Sequence, residues 1–188
     1  MNLLYDALPD TVTVDGKAYR IYTDYRDWLR FYDMQEDDAL SKREKLLLML
    51  EWYIDKPPLS CLEEALEALI AFATRSEEQP EQRQEHSGRK TTDRVLSWQY
   101  DAAYVYAAFL SVYHMDLQQV EQMHWHLFLG LFDAIPDETP IKQRMGYRSV
   151  NLAEIKDKNE RLRIRKIQDR IRIPQPELDG YQCGAFFC

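Results

Sequence analysis

SKREKLLLMLEWYIDKPPLSCLEEALEALIAFA, residues 41–73, decides the fold class, because it spells two helix starts and one stop in an unbroken stretch. In Ser41-Lys42-Arg43-Glu44 a hydroxyl stands three residues before a carboxylate. That spacing lets each side chain take the other residue's backbone amide, which is a capping box. It predicts a helix over Lys42–Ile54, and Pro57-Pro58 stops it, since proline has no amide hydrogen and clashes with the preceding turn. Ser60-Cys61-Leu62-Glu63 repeats the pattern and predicts a second helix over Cys61–Ala73. Its Leu62, Leu66, Leu69, Ile70 and Ala73 recur at intervals of three and four, the period of one helix face.

Upstream, Val12 and Val14 alternate with Thr, Asp15-Gly16 is a turn dipeptide, and Tyr19 and Ile21 resume the alternation, which predicts a β-hairpin. Thr23 or Asp24 then caps a helix carrying Trp28, Leu29, Phe31 and Tyr32. Downstream, residues 75–92 hold no large apolar side chain and read as a flexible polar linker. Helical periodicity returns over Ala102–Tyr113 with Tyr104, Val105, Ala108, Phe109 and Val112. Asp116-Leu117-Gln118-Gln119 predicts a helix to about Ala134, and Pro140 opens one to about Met145 with Gly146 as its stop. Asn151-Leu152-Ala153-Glu154 predicts a long helix to about Ile173, closed by Pro174 and Pro176.

The expected fold is therefore mainly α, with six to seven helices and a short N-terminal hairpin. Its expected organisation is a hairpin-plus-helices half over 1–74, the linker over 75–92, a helical half over 93–173, and a loose tail over 174–188. Hydrophobic residues at 45%, with four Trp, twelve Tyr and seven Phe, supply a core. Six glycines argue against a turn-rich β fold. The apolar run Leu46–Leu50 is far below the roughly 20 residues that span a bilayer. Asn2, Asp6 and Asp10 interrupt what a signal peptide would need to be basic and then apolar. The expected location is the cytosol, where thiols stay reduced; Cys61 then reads as an ordinary buried thiol, and Cys183 and Cys188 as unpaired tail residues.

Little in the sequence points to chemistry. His114, His124 and His126 cluster, but His124 and His126 are two apart and point about 200° away from each other on a helix. Glu121 and His124 share a face and make at most two ligands of a metal site. No Gly-x-Ser-x-Gly, Walker loop or dinucleotide glycine fingerprint occurs. The acid pairs Asp37-Asp38, Glu63-Glu64 and Glu77-Glu78 fall at helix starts or in the linker, where the helix dipole or water accounts for them. The expectation is a binding protein, with no catalytic residue, no metal and no cofactor.

Charge distribution is the sharpest feature. Net charge is −8, yet residues 141–172 hold eleven Lys/Arg against four Asp/Glu, so that segment is +7 and the remainder −15. In the predicted last helix the cations are spread around a rod that also carries a thin stripe of Leu152, Ile155, Leu162, Ile164, Ile167 and Ile171. Such a helix suits docking on another protein helix, with arginines at the rim. The residues expected to bind a partner are Ile155, Leu162, Arg163, Lys166, Ile167 and Arg170. A nucleic-acid role for 156–172 is the weaker reading, since the whole chain is acidic and no helix-turn-helix or zinc-finger pattern accompanies it.

The opening Met1–Val12 and Val14–Arg26, Glu44–Leu48, Pro57-Pro58 with Glu63–Leu69, Trp98–Phe109, Met123–Phe128, Met145–Arg148 and Ile155–Lys158 together resemble the gene-product-fifteen family of bacteriophages. That family belongs to long-tailed phages and prophages of Gram-positive bacteria, and the resemblance covers about residues 1 to 172. It implies a tail-assembly factor in the host bacterial cytoplasm, a chaperone that coats the tape-measure protein while tail-tube subunits polymerise around it. A structural component of the tail itself is the alternative. The family carries no established catalytic residues, so the resemblance implies none here.

Overall fold

The computed structural model describes residues 5–76 and 94–174. Strands β1 (Thr11–Val14) and β2 (Lys17–Arg20) pair antiparallel, with Val14 opposite Lys17. Asp15 and Gly16 both have positive φ, 49° and 69°, the backbone that a two-residue turn matched to strand twist requires. A lone hairpin is marginal in water, and this one is held from two sides. The chain continues past β2 into a bridge between Ile21 and Tyr53, and β1 lies against the helix formed by Leu62–Thr74.

Seven α-helices are present among the described residues, which makes the protein mainly α: α1 (Tyr25–Glu36), α2 (Lys42–Met49), α3 (Leu62–Thr74), α4 (Ala102–Tyr113), α5 (Trp125–Asp133), α6 (Pro140–Ser149) and α7 (Lys158–Ile171). Asp24 caps α1 by accepting the Arg26 N–H, and α4 has the predicted bounds. The Ser41 box forms in full, but α2 ends at Met49 and passes into a 3-10 turn, Leu50–Trp52, rather than running to Ile54. The hairpin takes the backbone there: Tyr22 N–H donates to the Trp52 carbonyl and Ile54 N–H to the Arg20 carbonyl.

The Ser60 box does not form. Residues Leu59–Cys61 make a 3-10 turn, Cys61 precedes α3 without a side-chain cap, and the Ser60 hydroxyl contacts the half-buried Cys61 sulfur at 3.7 Å. The two boxes give a direct comparison. Ser41→Ala is expected to lower stability by about 1 kcal/mol, whereas Ser60→Ala stays within about 0.5 kcal/mol. Urea denaturation of the two variants checks this.

Three later boundaries also move. Asp116 turns the chain instead of opening a helix, and α5 begins only at Trp125. The carbonyls that a helix from Asp116 would use are engaged across the fold. The Tyr25 hydroxyl donates to the Leu117 carbonyl at 2.8 Å, and the Arg26 guanidinium donates to the carbonyls of Leu117, Val120 and Glu121. Gly146 does not stop α6, which runs on to Ser149. Asn151 and Glu154 bond each other in a turn, and α7 starts at Lys158 under a second cap, Asp157, which accepts the Glu160 N–H at 2.7 Å.

One hydrophobic cluster draws residues from both sides of 77–93, among them Trp28, Phe31, Phe72, Phe109, Trp125 and Phe128. The helix starts of α1 and α5 meet over it: Tyr25 N–H donates to the Met123 carbonyl and Trp125 N–H to the Thr23 carbonyl. Arg75 closes α3 in a left-handed conformation, and its guanidinium meets Asp133. The remainder of the expected linker, and the tail with Cys183 and Cys188, lie outside the described residues.

Candidate functional site

The predicted partner-binding residues lie on or just before α7, and what positions them begins with a buried charge. Asp101 precedes α4 and is fully buried. Its carboxylate accepts from Arg148 Nη1 at 2.5 Å and Nη2 at 2.9 Å, from Arg144 Nε at 3.2 Å and from the Ser97 N–H at 3.1 Å. Burial pushes its pKa up, but the donors from Arg148, Ser97 and Arg144 outweigh that and hold it below the usual carboxylate range. Arg148, with its side chain 5% exposed, also donates from Nε to the Ile171 carbonyl at 2.8 Å and from Nη1 to the Val95 carbonyl. One guanidinium thus ties the end of α7 to the start of α4.

Gln168 completes the seat, donating from Nε2 to the carbonyls of Tyr147 and Val150 at 2.8 and 2.9 Å. Tyr147 lies in the last turn of α6 and Val150 directly follows it, where the helix leaves carbonyls without a full set of internal partners. Ile171 and Ile173 are buried beside them. Ile164, Gln168 and Ile171 recur at four and three, so they define the docked side of α7.

The opposite side is open. Asn159, Leu162, Arg163, Lys166 and Ile167 line a shallow depression of about 490 Å³. Their spacings of three and four give one face, and Arg170, also exposed, continues it one turn on. Leu162 is 48% exposed. Of the six predicted residues, the structure therefore brings Leu162, Arg163, Lys166 and Ile167 together and sets Arg170 in line with them. Ile155 precedes the helix, half-buried, and does not line the depression. The apolar stripe expected to act as one surface is divided, with Ile164 and Ile171 facing the protein and Leu162 facing out.

The histidines have structural places. His124 caps α5, its Nδ1 accepting the His126 N–H at 3.1 Å, which leaves Nε2 to donate to the Pro9 carbonyl at 2.9 Å. His126 stacks on Phe72 and bonds its carbonyl. Among the described residues no group of three or more His, Cys, Asp or Glu is placed to hold a metal ion. No helix among them is long and apolar enough to cross a membrane.

Sequence reasoning overlooked Asp101 and its two arginines. The available signal was an acid directly before the apolar run Ala102–Phe109, followed by arginines spaced four apart at 144 and 148.

Compared with known protein families, residues 4–173 match the model of the family described as Bacteriophage Gp15 protein. The chain belongs to that family. The match takes in both sides of the 77–93 segment and the whole of α7, so the basic helix is part of what the family model spans. No curated protein and no solved structure matches the chain. Membership makes this a bacteriophage protein of the structural and assembly kind.

Proposed function

We propose that the protein is a phage tail-assembly factor that acts by binding rather than catalysis, and that it holds the tape-measure protein on the outward face of α7. The observation that supports this reading is the division of α7. Gln168, Ile171 and Arg148 fix one side to α6, while Leu162 stays exposed among Arg163, Lys166 and Arg170 on the other. An apolar side chain framed by cations is the arrangement that receives an amphipathic helix with acidic flanks. A long helical client offers such segments repeatedly. The fixed side lets this face stand ready without ordering on contact, which lowers the entropy lost on binding.

Co-expression of the tagged chain with the tape-measure protein of the same phage tests the reading. The two are expected to co-purify, and Leu162→Asp is expected to weaken the association about tenfold or more while leaving thermal stability unchanged. Failure of the wild-type pair to associate overturns it. Mass spectrometry of purified virions separates the structural alternative: an assembly factor is absent from finished particles, and a tail component is present.

A further inference from the structure

The charge that makes α7 basic has a counterpart on α3. That helix buries Ala65, Leu66, Leu69, Phe72 and Ala73. Its outer line is Glu63, Glu67, Ile70 and Thr74, at spacings of four and three, and all four are exposed. Ile70 is 50% exposed, and Leu59, in the turn leading into the helix, is 71% exposed. Glu63 lies in the first turn, where the helix dipole favours an acid, but Glu67 lies a turn further on, beyond that effect. Neither carboxylate has an ionic partner among the described residues, and neither do Arg163, Lys166 or Arg170. The neighbouring Glu64 is occupied, accepting the Asp15 N–H at 2.6 Å.

The two faces match in kind and in length. α3 has 13 residues and α7 has 14. Each presents charges of one sign a turn apart, flanked by exposed aliphatic side chains. The signs are opposite, in line with the division of the chain into +7 over residues 141–172 and −15 elsewhere. We infer that a second copy of this chain seats its α7 on the outer face of α3, so that Arg163 and Lys166 of one copy meet Glu63 and Glu67 of another around Leu162 and Ile70. The contact joins two different patches. It closes if exchanged reciprocally between two copies and otherwise propagates to a ring or filament. It rests on α7 being an interaction face, as proposed above, and not on the identity of the client. Until a client displaces it, the neighbouring copy covers Leu162.

Charge reversal of the full chain tests this by analytical ultracentrifugation. The wild type is expected to sediment above the 22.4 kDa of one chain at low salt and to dissociate as ionic strength rises toward about 1 M. Glu63→Lys/Glu67→Lys and Arg163→Glu/Lys166→Glu are each expected to be monomeric, their dissociation constants raised at least about tenfold. An equimolar mixture of the two variants regains association, because each then supplies the partner face the other needs. Circular dichroism establishes that both are folded. A wild type that stays monomeric at all concentrations and salts, or a mixture that does not reassociate, overturns the inference. The Glu63→Lys/Glu67→Lys variant keeps α7 intact and is expected to retain the tape-measure protein. Loss of client binding by the wild type with self-association preserved would sink the proposed function alone.

Discussion

Asp101→Ala is expected to destabilise the protein by about 3–5 kcal/mol, the range for removing one partner of a buried ion pair. The loss is large because of what remains. Arg148 is nearly buried, and with Asp101 gone its charge keeps only the carbonyls of Val95 and Ile171. Arg144, stacked over the Tyr104 ring at 4.2 Å, loses its anion too. Asp101→Asn keeps acceptor capacity toward the Ser97 N–H and one arginine, so a smaller loss is expected. Urea denaturation at neutral pH orders the three proteins as wild type, Asn variant, Ala variant. The effect extends to α7, whose last turn is held by Arg148 through the Ile171 carbonyl; hydrogen exchange of α7 amides is expected to quicken in the Ala variant.

The same carboxylate gives a pH signature with a definite sign. Its folded-state pKa lies below the unfolded value, so the folded protein binds this proton less readily. The stability it supplies is therefore fully present above the unfolded carboxylate pKa of about 3.9 and is lost as pH falls through the lower folded-state value. Stability of the wild type is expected to fall more steeply below about pH 4 than that of Asp101→Asn. Parallel slopes in the two proteins would show that Asp101 does not titrate in the way its contacts require.

What could be read in advance follows the range of the interactions involved. The hairpin, α1 and α4 were legible because their signals are local: a turn dipeptide, an acid cap, an apolar period. The boxes at Ser60, Asp116 and Asn151 misled because a polar residue three before Glu or Gln stabilises a turn as well as a helix start. At Asp116 the choice is made by Tyr25 and Arg26, about ninety positions away, which take the carbonyls a helix would need. Gly146 signals a stop by its propensity, yet the contacts of Tyr147 and Arg148 carry α6 past it. For the candidate surface, the sequence points to Ile155, Leu162, Arg163, Lys166, Ile167 and Arg170 as binding residues, but it reads the cations as spread around the rod, and their gathering on one face of α7 comes from the structure. Which side of α7 meets the protein was not legible, because Gln168 and Arg148 decide it through backbone carbonyls that have no sequence signature.

Trp125→Ala is expected to cost about 3–5 kcal/mol, the range for removal of a large core aromatic residue. Trp125 is fully buried at the first position of α5, and its indole N–H donates to the Ala73 carbonyl at 2.9 Å. Its ring lies within 6.3 Å, centroid to centroid, of Trp28, Tyr32, Trp98 and Phe128. Those partners come from α1, from the segment before α4 and from α5, so the cavity opens where the two sides of the 77–93 segment join. Truncation also orphans the Ala73 carbonyl near the end of α3, which adds a desolvation penalty to the lost packing. Trp125→Phe keeps much of the ring volume and loses the N–H, and its smaller loss measures the hydrogen bond and the residual cavity together. If Trp125 were a bystander, the Ala variant would unfold at the wild-type urea midpoint. The expected result is a lower midpoint with the cooperativity of a single transition, because the rings Trp125 touches belong to one cluster fed from both halves of the chain.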